Sequence, residues 1–367
     1  MSRTIPVVSY YGTLKGMERK FENRARKDAF RGNTREEWLV WKDRTRSMLW
    51  RLLGLDHMEW CPLKPRIEER VVLENGITRE KVIIQTEPEI WMPVFVLIPD
   101  NQGKKGGKAE CFIAPPGHQG GGKYSVAGFR EIPAIADMID VYNYDYGMQL
   151  AKLGYVVLCP DCRGFGERRD EALQKEDETS FLNSTCFHLA HMAEPMGETV
   201  AGMLTWDLMR LIDYIEMRGE WRMDTLGALG FSGGGMQTLW LTAMDERIRR
   251  AVISGYMYGY RDSLLKLNEN CSCNYVPGLW ERLDMGDVGS LIAPRPLVIQ
   301  SCRDDHLNGE RGILNAIEQV AVIRRAYELF GDKQMLIHDI REGGHRWHNE
   351  HLEEQLSALH YAKREQN

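Results

Sequence analysis

From residue 109 onward, short apolar runs alternate with segments of helical period. The strand-like runs are AECFIAPP, VVLCPD, TLGALGF, RRAVISGY, RPLVIQSC and QMLIHDI. Between and after them lie NYDYGMQLAKLGY, TVAGMLTWDLMRLIDYIEMRG, MQTLWLTAMD, ILNAIEQVAVIRRAYELFG and NEHLEEQLSALHYAKR, which read as helices. Strands of this kind, apolar on both faces, need cover on both sides, so the pattern predicts an α/β fold: a mostly parallel central sheet flanked by helices. Two further β-rich stretches, RIEERVVLENG and TREKVIIQTEPEIWMPVFVLIPD, are partly alternating and predict antiparallel strands ahead of the parallel part. Residues 1–65 instead form an N-terminal helical extension. Its clearest piece is TREEWLVWKDRTRSMLWRLLGL, where Trp38, Trp41, Met48, Leu49 and Leu52 share a face and Asn33-Thr-Arg-Glu36 supplies a start. Residues 66–367 make the main domain, with 258–294 as a lid-like insertion between two strands.

The chain has 367 residues, 43% hydrophobic and 27% charged, with a formal net charge of −6. That balance offers no basic field for nucleic acid, and no run of about eighteen apolar residues predicts a membrane span. The opening MSRTIPVVSYYGTLKGMERK lacks an apolar core followed by a small-residue cleavage site, so a cytoplasmic location is expected. Eight cysteines in a chain this long do not form a disulfide framework. Cys111, Cys159 and Cys302 sit in or beside strands, where a thiol packs as a small hydrophobe. Cys159-Pro-Asp-Cys162 has no matching second pair, and His345, His348 and His351 are spaced in threes that do not converge, so no metal site is expected.

Gly230-Phe-Ser232-Gly-Gly234 fits G-x-S-x-G between a predicted strand and a predicted helix. Such a sharp turn forces a strained backbone on the serine and needs glycine beside it. It would hold the hydroxyl up at the carboxyl edge of the sheet, against a helix N-terminus. A serine hydroxyl is a weak nucleophile without a base, and the base needs an orienting acid. His345, in the loop opened by Gly343 and Gly344 after QMLIHDI, is the expected base; His348 is the lesser alternative. Asp305, in SCRDDHLNG after another buried strand, is the expected acid, with Asp304 the alternative.

An oxyanion would be bound by backbone amides: Gly233 on the helix, and His118 or Gln119 in the glycine-rich GHQGGGKY, which lacks the spacing of a phosphate loop. Tyr256, Tyr258, Trp280 and Trp347 fall in segments expected above this edge and are candidates for stacking a sugar ring; the bland alternative is that they pack the insertion against the sheet.

APPGHQGGG, VVLCPDCRGFGER, GFSGGGM, PRPLVIQSCRDDHL and EGGHRWH together resemble the α/β-hydrolase superfamily, more narrowly its dienelactone-hydrolase-like and acetyl-xylan-esterase-like branches. The resemblance spans roughly residues 66–362. It implies the α/β-hydrolase fold, and the order Ser232, Asp305, His345 agrees with that architecture. It also implies a structural part for Asp161 and Arg163 in the D-x-R-G-x-G turn. The implied activity is serine ester hydrolysis without cofactor on a small-molecule ester, with short acyl groups such as acetyl and with acetylated sugars among the substrates. Dienelactone hydrolases use a cysteine nucleophile, and Ser232 departs from that. A prolyl-oligopeptidase-type peptidase would share the catalytic domain, but no long propeller-like segment is present. A non-catalytic binder would usually have lost a triad member. The exposed N-terminal helices leave a homo-oligomer open.

Overall fold

The computed structural model describes residue 9 and residues 11–100, 107–170 and 177–361. Among the described residues nine strands form one sheet: β1 Arg66–Val72, β2 Ile77–Glu87, β3 Ile90–Pro99, β4 Ala109–Ile113, β5 Val156–Pro160, β6 Trp221–Phe231, β7 Arg250–Ser254, β8 Leu297–Cys302 and β9 Leu336–Arg341. Their order across the sheet is β1-β2-β3-β5-β4-β6-β7-β8-β9. The pairs from β1 to β3, and β3 with β5, are antiparallel; β5, β4, β6, β7, β8 and β9 are mutually parallel.

The helices are α1 Leu14–Arg24, α2 Arg35–Leu52, α3 Lys123–Val126, α4 Pro133–Tyr142, α5 Tyr146–Lys152, α6 Glu178–Leu182, α7 Cys186–Ala193, α8 Val200–Arg218, α9 Gly233–Met244, α10 Leu279–Arg282, α11 Met285–Ser290, α12 Ile313–Leu329 and α13 Leu352–Tyr361. Among the described residues no helix is long and apolar enough to cross a membrane. This is the expected fold class, a mostly parallel sheet covered on both faces. α4 and α7, which had no counterpart in the sequence reading, are added to it.

The two-sided burial follows from the period of a strand. Along β6, Leu226 and Ala228 face one core and Leu229 and Phe231 the other; Ala251 and Ile253 of β7 likewise oppose Val252, and Leu297 and Ile299 of β8 oppose Val298. The larger core also takes in Trp38, Trp41 and Leu49 of α2. A capping box starts that helix at Thr34 with Glu37, one residue beyond the expected start. Its Trp38 ring meets Phe330 edge-on with centroids 4.9 Å apart.

The topology places a site. Chain order runs outward from β4 to β5 on one side and from β6 to β9 on the other. Where the order reverses, the loops leaving the carboxyl ends of β4 and β6 part and leave a crevice. The loops after β4, β6, β7, β8 and β9 all emerge along this one edge.

Candidate active site

Ser232 follows β6 directly and caps α9, with φ 56° and ψ −122°. This is a conformation that a side chain rarely adopts and that costs on the order of 1–3 kcal/mol. The surroundings fix it. Its amide donates to the Ser254 carbonyl at 2.9 Å. A Cβ on Gly230 would lie 2.3 Å from the Gly234 carbonyl oxygen, and one on Gly234 would lie 2.3 Å from that of Pro115. The glycines of the motif are therefore there for close approach between backbones.

His345 comes from the loop after β9 and packs its ring on Phe231, the residue before the serine, with centroids 4.5 Å apart. Its Nδ1 lies 2.7 Å from Oδ2 of Asp305. The other oxygen of that buried carboxylate accepts the Leu307 amide at 2.9 Å, which locks its orientation. Asp304 points elsewhere: it is exposed, and its amide donates to Gly343. His348 is not placed as a base either. Its imidazole faces Glu350 at 3.4 Å, and its carbonyl accepts from Gln300.

The GHQGGG loop after β4 lies against the start of α9. A Cβ on Gly117 would stand 3.2 Å from the Gly233 nitrogen, and one on Gly233 would stand 2.7 Å from His118 Nδ1. Gln119 has φ 61°, and its side-chain oxygen accepts from the Tyr142 hydroxyl at 3.1 Å. The His118 carbonyl accepts from Tyr144 at 2.7 Å.

These groups line one cavity of about 410 Å³: Ser232, Gly233, His345, His118 and Gln119, with Tyr256 and Tyr258 in its wall. Tyr256 donates to Asn274 Oδ1 at 2.7 Å, so its ring is held in place. The expectation for the two tryptophans is corrected. Trp347 is fully buried, its ring tilted against that of Tyr146 and its Nε1 donating to Gln149 at 3.1 Å, and it anchors the His345 loop from below. Trp280 packs among Phe21, Tyr260 and Tyr275 and borders a separate, smaller hollow beside α1. An aromatic residue near a loop in sequence carries no signal of which way its ring turns.

Other groups on the cavity wall had no signal in sequence. Tyr142, Tyr144, Asn183, Ser184, Glu269, Asn270 and His306 all face it. The His306 ring meets that of His345 at 5.6 Å.

The expectation of no metal-ligand cluster is also revised. His118, Cys186, Cys271 and Cys273 bring one ligand atom each to within 4.8 Å of one another, beside the cavity. They lie on three segments far apart in the chain, which is why no spacing motif announced them. Hydrogen bonds from Cys186 and Cys273 hold the Cys271 thiol well below its ordinary value. Burial opposes charge on the His118 ring, but the adjoining Cys271 and the hydrogen bonds the protonated ring donates toward the Cys271 and Cys186 sulfurs outweigh it and raise the ring to about 10. Cys159 and Cys162, the pair visible in sequence, face opposite cores.

A family model described as the Abhydrolase family matches residues 4–363. Over 273 residues the chain is 28% identical to "Putative hydrolase YtaP" of Bacillus subtilis (strain 168), covering 73% of this chain and 83% of that protein. Among solved structures, a "putative acetyl xylan esterase" from Bacteroides fragilis superimposes with a TM-score of 0.73 at 19% identity, over 90% of this chain and 83% of that one. A glucuronoyl esterase from Solibacter usitatus gives a TM-score of 0.64 at 16% identity, over 98% and 99% of the two chains.

Proposed function

This chain belongs to the Abhydrolase family, and on that premise we propose that it is a serine carboxylic-ester hydrolase working through Ser232, His345 and Asp305. The observation that carries the reading is the arrangement of one cavity. A serine on a strained strand-to-helix turn shares it with an imidazole whose far nitrogen is held by a buried carboxylate. In this mechanism the Ser232 Oγ attacks the ester carbonyl while His345 Nε2 takes its proton. Asp305 holds the tautomer and offsets the imidazolium charge. The amide of Gly233, with that of His118 or Gln119, stabilises the oxyanion. His345 passes the proton to the departing alcohol. Water, activated by the same imidazole, then releases the acid from the acyl-enzyme.

The substrates fitting this cavity are short acyl esters, acetyl above all, on a carbohydrate alcohol. The wall supports this: tyrosines, Asn183, Asn270 and Glu269 supply ring faces and hydrogen-bonding groups of the kind a sugar uses. One structural neighbour is named as an acetyl xylan esterase, in line with the same class, and the other as a glucuronoyl esterase, whose sugar is on the acyl side.

The test is a panel of p-nitrophenyl acyl esters of increasing chain length, acetylated sugars and aminoacyl-anilides, run on wild type and Ser232→Ala. Acetyl esters should be cleaved fastest and anilides left intact. Ser232→Ala should lower kcat by at least on the order of 10³-fold and abolish fluorophosphonate labelling. A variant that keeps its activity, or a wild-type chain that stays unlabelled, would sink the assignment.

A further inference from the structure

We propose that His118, Cys186, Cys271 and Cys273 bind one zinc ion as a closed, four-ligand structural site, tying the loop after β4 to α7 and to the insertion before β8. The first support is geometric. The four ligand atoms all fall within 4.8 Å of one another, and His118 Nε2 is 3.4 Å from Cys273 Sγ. Zinc takes thiolate sulfur at about 2.3 Å and imidazole nitrogen at about 2.0–2.1 Å, so the corners of its tetrahedron lie about 3.8 Å apart for two sulfurs and about 3.5 Å for sulfur and nitrogen. Atoms gathered this closely reach those positions by small side-chain rotations, without moving the backbone.

The second support is chemical. Three thiolates and an imidazole are a ligand set that selects zinc over oxygen-seeking calcium or magnesium. Buried thiols that merely pack have no reason to converge, and the remaining cysteines of this chain show the contrast. Cys111, Cys159, Cys162 and Cys302 are each buried in or beside a strand, and Cys61 is buried in the segment leading into β1, all outside this group. A disulfide would use two of the three sulfurs and leave the third thiol and the imidazole without a purpose.

The third support is the second layer of contacts. Asn274 Nδ2 donates to Cys273 Sγ at 3.7 Å, and the Ser184 hydroxyl lies 3.8 Å from Cys271 Sγ. Weak donors of this kind commonly surround metal-bound sulfur and orient it. His118 and Cys271 also line the catalytic cavity, which gives an ion a way in.

Four protein ligands leave no position for substrate, so the ion acts on placement rather than as a Lewis acid. The His118 ring lies against Gly233 through its other nitrogen. Holding that ring therefore holds the 118–119 backbone against the start of α9, beside Ser232. Cys271 and Cys273 meanwhile hold the cavity wall that carries Asn270 and Asn274.

The experiment uses the full-length chain purified reduced and without chelator. Elemental analysis should find one zinc per chain. After stripping with a chelator, titration with Co²⁺ should produce thiolate-to-cobalt charge-transfer absorption and the d–d bands of a tetrahedral ion, both erased by added Zn²⁺. Cys271→Ser and Cys273→Ser should lose the ion and lower the melting temperature, whereas Ser232→Ala should keep ion and spectrum while losing esterase activity. The two readings therefore fail separately. If the stripped wild type gives no sulfur-to-cobalt bands, if two of these cysteines form a disulfide in the purified protein, or if both serine variants hold zinc as wild type does, the site is refuted. The wild-type titration decides even if a variant does not fold.

Discussion

Asp304 and Asp305 are neighbours in the chain but not in their surroundings. The first is exposed at a turn, and the second is buried with one oxygen on His345 and the other on a backbone amide. Asp305→Asn should therefore lower kcat on p-nitrophenyl acetate by about 10⁴-fold, because the imidazole loses its tautomer. Asp304→Asn should leave the rate unchanged. Gly234→Ala pushes a Cβ to 2.3 Å from the Pro115 carbonyl, a backbone atom that cannot turn away. It should destabilise the fold by roughly 2 kcal/mol or more in urea unfolding and lower activity with it. At this scale the sequence was informative wherever chemistry demands a residue type at a strand end: a serine between glycines, a histidine after two glycines, an aspartate after a buried run. It was silent where only side-chain direction matters. Trp347 turns into the core and Trp280 toward α1, and nothing in their neighbours' identities says so.

Among the elements, the turn after β5 shows how a motif can be structural and still indispensable. Arg163 reaches Asp207 on α8 at 3.0 Å and Glu87 on β2, and Arg168 reaches Asp207 at 2.6 Å. Burial alone would raise the Asp207 carboxyl, but the Arg163 and Arg168 charges and hydrogen bonds reverse this and depress it to about 2. Its unfolded value is about 3.9, so the group stabilises the fold fully above about pH 4. That contribution, on the order of 2 kcal/mol, is lost as pH falls toward 2. Asp207→Asn leaves Arg168 without its carboxylate and Arg163 with Glu87 alone, and should cost about 3–5 kcal/mol at pH 7. Denaturant unfolding at pH 7 and pH 3 should show the gap between variant and wild type narrowing in acid. Strands and long helices were legible because their apolar periods are long enough to read. α4 and α7 were not, and the second matters, since it carries Cys186. The cluster joining that cysteine to 118, 271 and 273 exists only after three elements fold together, so no local pattern could reveal it.

For the molecule as a whole, the N-terminal helices share the main core. Trp38 is fully buried against Phe330, and Arg46 donates to the Met244 carbonyl at the end of α9. Trp38→Ala should cost about 3–5 kcal/mol. Unfolding followed by tryptophan fluorescence and by far-ultraviolet circular dichroism should give one coincident transition; two separated transitions would make residues 1–65 an independent unit. The same integration marks the segment between β7 and β8. Tyr258, Tyr260, Leu264, Leu283, Met285 and Val288 are buried in the cluster that fills one side of the sheet. Lifting that segment away would mean tearing out part of the interior, so residues 258–294 do not form a flap waiting for an oil–water boundary. The catalyst's hydrolysis of tributyrin should accordingly climb smoothly as the emulsion point is crossed, with none of the sudden jump seen when a hinged cover opens on a lipid droplet.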